Sequence, residues 1–408
     1  MTKAMDNPEI AAMVRHGVAH AAAGTMDLVD YVMKLPARFY TDPDRFKIEV
    51  DRIFKRLPLM LAPSCELPGP GDFKTMEVAG IPVLLVRGQD GTARSFVNSC
   101  SHRGTNVATA ETGNTKRFTC PYHGWSFGQD GALIAIASPQ DFGEIDKSCY
   151  GLTPLPVAER AGLIFGSVDP NSRLDIDAFL CGYDRLLAHF HFKDWHFFSK
   201  RRLAGPNWKI AYDGYLDLYH LPVLHKNSLG GPRGFNAPLG NRALYHAWGP
   251  HQRLVGTDRK IKELVSIPES EWADHQVMAG VWTIFPSISI ASFDGGGRGV
   301  MISQLLPGET VGTSYTTQMY LMEKKPDEET AKRAHAQFDL LETVVRDEDY
   351  ATGLRQQRAL DAGTRNHVLF GRNEGGAQTF HGWVERIIDA DDAALLCLFS
   401  VPERKKAQ

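Results

Sequence analysis

The sequence predicts an α+β protein of two domains, a small all-β unit followed by a larger unit in which an antiparallel sheet is flanked by helices. Three observations carry that expectation. At 408 residues the chain is long enough to bury two separate cores. Short β-rich runs separated by turns are concentrated between Phe73 and Phe127. Beyond Pro170, helical stretches bracket several candidate strands without the regular strand–helix alternation of a parallel sheet.

In chain order, residues 8–22 and 42–55 have helical character, with Asp6 or Asn7 and then Thr41 or Asp42 as N-caps. The β-rich unit contains runs at 81–86, 94–98 and 117–119, punctuated by turns such as Gln89-Asp90-Gly91. In the larger unit, residues 175–190 and 327–360 read as helices, and 277–285, 287–293 and 313–322 as strands. The aromatic-rich stretch 190–198 reads as core or subunit interface. There is no internal repeat and no low-complexity tract.

Composition excludes several classes of function. A net charge of −3, with 43% hydrophobic and 23% charged residues, describes a globular protein without the basic excess that a nucleic-acid backbone requires. The first 24 residues lack the continuous apolar core of a signal peptide, and runs such as 81–86 are far shorter than a membrane span. The expectation is a cytoplasmic protein that does not engage a membrane. In that reducing compartment the six cysteines are metal ligands or core residues rather than disulfides. Cys100 and Cys120 stand in a metal context; Cys65, Cys149, Cys181 and Cys397 read as small buried hydrophobes.

The strongest chemical signal is Cys100-Ser101-His102, followed after 17 residues by Cys120-Pro121-Tyr122-His123. Each arm supplies one thiolate and one imidazole. Zinc fingers usually place both cysteines on one arm and both histidines on the other, whereas interleaved types suit a [2Fe–2S] cluster with two thiolates on one iron and two imidazoles on the other. Gly104 and Gly124 permit the tight turns that let backbone N–H groups approach bridging sulfides. Cys-Ser-His-Arg-Gly with Cys-Pro-Tyr-His-Gly-Trp resembles the Rieske motif of ring-hydroxylating oxygenase α subunits.

A second constellation runs from Asn207-Trp208-Lys209 through Asp213, Asp217, His220 and His225. On a regular helix Asp217 and His220 share a face while the two histidines diverge, and Pro222 between them disturbs such a helix. Two histidines and one carboxylate form the facial triad of non-heme Fe(II) oxygenases. The segment resembles the same family's Asn-Trp-Lys and Asp-x2-His-x4-His pattern, which implies that His220 and His225 bind a mononuclear Fe(II). The family's late Glu-Asp and Gln-Arg-x-Leu elements match Glu348-Asp349 and Gln357-Arg358-Ala359-Leu360, implying Asp349 as the third ligand. A run of solvated charges at Asp347, Glu348 and Asp349 is the competing reading.

The resemblance further implies that Asp217 links His220 to the cluster ligand His123 across a subunit interface, which makes a cyclic trimer a functional requirement. Asp213 matches a position near the iron, as a catalytic or a structural hydrogen-bonding group. The implied domains are an N-terminal helical segment (1–56) packing with the catalytic domain, a Rieske [2Fe–2S] domain (57–168) and a helix-grip-like catalytic domain (169–408). No Gly-x-Gly-x-x-Gly follows a strand, and Gly295-Gly296-Gly297-Arg298-Gly299 lacks the dinucleotide spacing. Electrons from NAD(P)H must therefore come through a separate reductase, with or without a ferredoxin. A small β subunit is a possible companion of the homotrimer.

The substrate is less legible. Residues 229–240 are a candidate cover over the iron pocket or an ordinary surface loop. Trp282, Phe285, Ile288 and Phe293 are candidates for a pocket wall or for core. Arg233, Arg242 and His246 are candidates for holding a substrate carboxylate, or members of a charged face. The expected activity is O2-dependent hydroxylation of an organic, aromatic substrate. The alternatives are demethylation of N-methyl or O-methyl groups, including quaternary ammonium compounds, and electron transfer without catalysis. Asp217 favours the aromatic class, because relatives acting on quaternary ammonium groups often carry Glu there.

Overall fold

A computed structural model describes residues 3–173, 175–229, 243–257, 259–293 and 297–399. It divides the chain into two units: Met1–Glu49 with Leu180–Phe190 and Trp195–Gln408, and Val50–Phe179 with His191–Asp194. The division falls several residues from the 57 and 168 boundaries, because the π-helical turn Val50–Phe54 and the helix Ile176–Leu180 largely go with the smaller unit.

Among the described residues of the smaller unit, a five-stranded antiparallel sheet runs in the order Pro154–Leu155, Ala93–Val97, Ile81–Arg87, Asp72–Val78 and Thr112–Asn114. Two three-stranded sheets accompany it, Val157–Arg160 with Leu163–Gly166 and Leu59–Pro63, and Arg117–Thr119 with Ser126–Gly128 and Leu133–Ala135. Phe73, Leu84, Phe96, Phe118, Trp125 and Phe127 gather into one apolar core. Cys100 and Cys120 belong to the same core, which anchors the two motif loops.

In the larger unit seven described strands form an antiparallel sheet, ordered His196–Gly205, Ser314–Met322, Gly299–Pro307, Ile288–Phe293, Val281–Ile284, His251–Gly256 and Ala243–Trp248, and Met33–Pro36 pairs separately with His367–Phe370. Ala334, Phe338 and Leu341 of helix Glu328–Thr343 bury against Met301, Tyr320 and Met322 of the sheet. The α+β expectation matches this architecture.

Several elements differ from their sequence pattern. The stretch 190–198 contributes a buried Phe190 and Trp195, and then opens the edge strand His196–Gly205. Its Lys200-Arg201-Arg202 run hides the strand signal, yet charge is what an edge tolerates. Arg201 stacks 3.5 Å over Phe338 and pairs with Glu342 and Asp339. The predicted helix 175–190 is broken at Cys181 and Gly182, both with positive φ. Cys149 and Cys397 are exposed rather than core residues. No helix among the described residues is long and apolar enough to cross a membrane.

Two buried linkages set the larger unit's register. Lys209 and Glu49, both without exposed surface, form an ion pair, and Trp208 Nε1 donates to Glu49 Oε2 at 2.9 Å. The backbone N–H of Asn207 donates to Gln357 Oε1 at 3.2 Å, while the side chains of both residues donate to the Tyr40 carbonyl. Asn-Trp-Lys and Gln-Arg-Ala-Leu, 150 residues apart, thus meet in space.

Candidate metal centres and pocket

Cys100 and Cys120 sit at the start of two loops with the same hydrogen-bond pattern. Gly104 N–H donates to Cys100 O at 2.8 Å, and Gly124 N–H to Cys120 O at 3.0 Å. Both glycines have positive φ, 81° and 70°, which the turns require. The His102 and His123 rings lie 4.6 Å apart, and both Nδ1 atoms are buried without a hydrogen-bond partner. Trp125 stacks on His102 at 4.9 Å and fixes its plane. Burial, then the neighbouring His123, pushes the His102 pKa down, which favours the neutral ring that a metal ligand must present. Two buried thiols and two unsatisfied imidazole nitrogens fit a [2Fe–2S] cluster of the Rieske type.

The second centre assembles from three elements. Helix Trp208–Asp213 ends at Gly214, and the chain passes through an irregular stretch to His220, which precedes the single-turn helix Leu221–Leu224; His225 closes that turn. Pro222 is the second residue of this helix rather than a kink in a longer one, a first-turn position that suits a residue without an N–H. Asp217 therefore does not share a helical face with His220. Its Oδ2 lies 3.0 Å from His220 Nδ1 across the turn.

Asp349 completes the constellation. Its Oδ1 lies 3.6 Å from His220 Nε2 and 3.2 Å from His225 Nε2. One ligand atom from each of the three residues falls within 4.8 Å of the others. Burial disfavours charge on His225, but the carboxylates of Asp349 and Glu348 outweigh it and the pKa is raised. Such a site calls for positive charge at its centre, and two neutral imidazoles with a carboxylate fit Fe(II).

The three consecutive acids separate because the helix widens. Between Glu328–Thr343 and Ala351–Asp361 lies a seven-residue π-helical segment, Val344–Tyr350. Here Asp347 turns outward to Arg346, Glu348 Oε2 lies 2.6 Å from His225 Nδ1, and Asp349 faces the histidines. A π-helical stretch at a functional site re-aims side chains that an ordinary helix would place elsewhere. Glu348 is a supporting residue that sequence reasoning missed; its only signal is adjacency to Asp349.

A cavity of about 530 Å³ opens above this centre. Asp217, His220, His225 and Asp349 line its polar end, while Leu218, Val281, Ala291, Phe293, Met301, Leu340 and Val345 supply apolar wall. Burial pushes the Tyr215 phenol, also in the lining, up to about 12, so its hydroxyl stays neutral. Of the four expected wall residues only Phe293 lines the cavity; Trp282, Phe285 and Ile288 are buried core. No Lys or Arg lines it among the described residues.

The structure does not bring Asp213 to this cavity. Its carboxylate accepts from Tyr40 Oη at 2.7 Å and lies 2.8 Å from His381 Nε2, a buried arrangement beneath the site. His381 was invisible as a partner because 168 residues separate the two. Burial first, then the charges of Asp217 and Asp213, push the nearby Glu374 carboxyl upward. His246 does not line the cavity, and burial pushes its pKa down to about 3, so it offers no cation to a carboxylate. Arg233, Arg242 and most of 229–240, with Gly295 and Gly296, lie outside the described residues.

Comparison with known proteins adds to this geometry. The family model of the Rieske [2Fe-2S] domain matches residues 58–147, and that of the ring hydroxylating alpha subunit (catalytic domain) matches residues 192–390. The chain is similar to the glycine betaine monooxygenase oxygenase subunit of Chromohalobacter salexigens, 31% identical over 56% of this chain and 50% of that one. It is also similar to the anthranilate 1,2-dioxygenase large subunit of Acinetobacter baylyi, 29% identical over 48% of this chain and 44% of the other. The matched region thus spans about half the length of these curated relatives. The naphthalene 1,2-dioxygenase structure from Rhodococcus sp. shares the fold, with a TM-score of 0.72 and 20% identity over 93% of this chain and 98% of that one.

Proposed function

Because the chain belongs to the family of ring-hydroxylating Rieske oxygenase α subunits, we propose that it is the oxygenase component of a multicomponent system that hydroxylates an apolar, aromatic substrate with O2. The observation that carries this reading is the convergence of His220, His225 and Asp349 at the polar end of an otherwise apolar cavity. A pure electron-transfer protein has no use for such a cavity.

In this reading Cys100, His102, Cys120 and His123 hold the cluster, and His220, His225 and Asp349 hold Fe(II). When bound there, the cluster would supply electrons and the mononuclear iron would supply the redox chemistry that O2 requires. The protein's own residues do the rest. Asp217 and Glu348 fix the Nδ1 sides of the two imidazoles, so that both Nε2 atoms face the centre. Asp217 also couples His220 to the cluster of a second copy of the chain in a homotrimer, with or without a β subunit. Asp213 holds its place through Tyr40 and His381 as a positioning residue. The apolar wall excludes water and binds the substrate by burial. Electrons come from an NAD(P)H-dependent reductase, directly or through a ferredoxin, in the cytoplasm.

A second reading, demethylation of an N-methyl or O-methyl group, is favoured by the similarity to glycine betaine monooxygenase. A quaternary ammonium group calls for an aromatic cage; the described lining contains only Tyr215, Phe293 and Tyr350 as aromatics. Turnover of neutral aromatics, aromatic acids, methoxyarenes and trimethylammonium compounds under 18O2, with a surrogate reductase, separates the two. An aromatic product carrying two labelled oxygens supports ring dioxygenation. Release of formaldehyde overturns it in favour of demethylation.

A further inference from the structure

A second group of histidines and carboxylate lies away from the cavity, on the N-terminal helix. His16 and His20 stand one turn apart on Pro8–Ala23 and so share a face. The helix stops at Gly24, whose left-handed conformation turns the chain back and returns Asp27 to that same face. His20 Nε2 lies 3.0 Å from His16 Nε2, and Asp27 Oδ1 lies 3.3 Å and 3.4 Å from these two nitrogens. The three atoms form a nearly equilateral triangle.

That triangle has the dimensions of a metal site. Ligands about 2.0–2.1 Å from a tetrahedral zinc stand roughly 3.3–3.4 Å apart. A cation centred slightly off the plane would reach all three atoms, with the fourth position open to water. The remaining polar atom of every ligand is also held. His16 Nδ1 faces His246 Nε2 at 3.3 Å, His20 Nδ1 faces Thr25 Oγ1 at 2.7 Å, and Asp27 Oδ2 accepts the Tyr245 N–H at 3.0 Å. Ring Nε2 atoms inward and Nδ1 atoms anchored is the arrangement that also orients His220 and His225.

We propose that His16, His20 and Asp27 form a second metal site, selective for zinc or a similar divalent transition ion, that fastens helix Pro8–Ala23 to the edge strand Ala243–Trp248. The donor set excludes hard ions: two imidazoles and one carboxylate suit zinc, whereas calcium and magnesium prefer oxygen ligands throughout. The site is structural. None of its three residues lines the cavity, and both anchors from the sheet, Tyr245 and His246, belong to the edge strand. A metal there would cover the exposed end of the sheet and fix the N-terminal segment to it.

The test uses the full-length, cluster-bearing protein in the wild-type form and as His225→Ala, His20→Ala and His20→Ala/His225→Ala. His225→Ala removes zinc binding at the mononuclear centre. Each is saturated with Zn2+, desalted and assayed for bound zinc by plasma mass spectrometry. The proposal expects His225→Ala to retain one zinc per chain and the double variant to lose it. Native iron content in His20→Ala at the mononuclear centre reports that the larger unit is folded, and Asp27→Asn provides the same readout if His20→Ala lacks that iron. Co2+ in place of zinc should give visible bands of tetrahedral intensity in His225→Ala that the double variant lacks. Equal zinc in His225→Ala and the double variant, or none in either, would mean that His16, His20 and Asp27 form only a hydrogen-bonded network and overturn the proposal.

Discussion

Glu348 Oε2 lies 2.6 Å from Nδ1 of His225, on the side of the ring opposite the Nε2 that faces Asp349 at 3.2 Å. Two consecutive acids thus grip the two nitrogens of one imidazole. The one in contact with Nε2 is placed to bind metal, and the one at Nδ1 sets the tautomer and ring plane. Their effects on iron should differ in kind. Asp349→Ala is expected to empty the mononuclear centre while the cluster spectrum persists. Glu348→Gln should retain the site but weaken iron affinity about 10- to 100-fold. Iron analysis after dialysis against a chelator checks both; retention of iron in Asp349→Ala would move the ligand to Glu348.

Asp217 holds His220 from the Nδ1 side without itself reaching the centre of the site. Asp217→Ala should therefore keep cluster and iron yet lose nearly all turnover. Normal steady-state activity in that variant would remove Asp217 from the electron route.

The Lys209–Glu49 pair is fully buried, and removing one partner strands the other's charge. Glu49→Ala should cost about 3–5 kcal/mol of stability. Replacing both residues with apolar side chains of similar volume should recover much of that loss, as thermal denaturation would show.

Alkylation should discriminate among the cysteines. Burial raises the Cys65 thiol to about 12 and Cys181 to about 11, so at pH 8 well under about 1% of either is thiolate. Exposed Cys149 and Cys397 should react with iodoacetamide at that pH, and Cys65 and Cys181 should begin to react only as the pH approaches their raised values. Mass mapping of labelled peptides reads the order directly; early labelling of Cys65 would contradict its burial.

The cavity wall offers a steric test. Ala291→Phe intrudes a ring into the apolar volume and should lower kcat/KM for a bicyclic substrate roughly 10- to 100-fold, in line with overpacking costs of about 1–3 kcal/mol. Iron content should stay unchanged. Equal losses for small and large substrates would show that the cavity is not where substrate binds.

What the sequence showed and what it hid follow from physical range. The paired loops of Cys100 and Cys120 are local, so their spacing alone displayed candidate ligands and turn glycines together. His220 and His225 were legible as residues, but the turn that orients them was not, because Pro222 lies in the first turn of a short helix where a regular helix was the simpler reading. Glu348 and Asp349 could be separated only by the widened turn at Val344–Tyr350, which leaves no compositional trace. His381 and Glu374 act through contacts across more than 150 residues with Asp213, beyond any periodicity. The basic edge strand was hidden by Lys200, Arg201 and Arg202; Arg201 finds its acidic partners on a distant helix, and Arg202 stacks on Tyr315 of the neighbouring strand.

The most direct test of the central claim is a single turnover without protein partners. Protein whose cluster has been chemically reduced is exposed to 18O2 with a neutral bicyclic aromatic, and product is quantified alongside cluster reoxidation. The account predicts labelled product in proportion to oxidised cluster in the wild type, and none from Asp349→Ala with its cluster intact. Cluster reoxidation without labelled product from any member of the substrate panel would contradict it, leaving a protein that passes electrons but does not oxygenate.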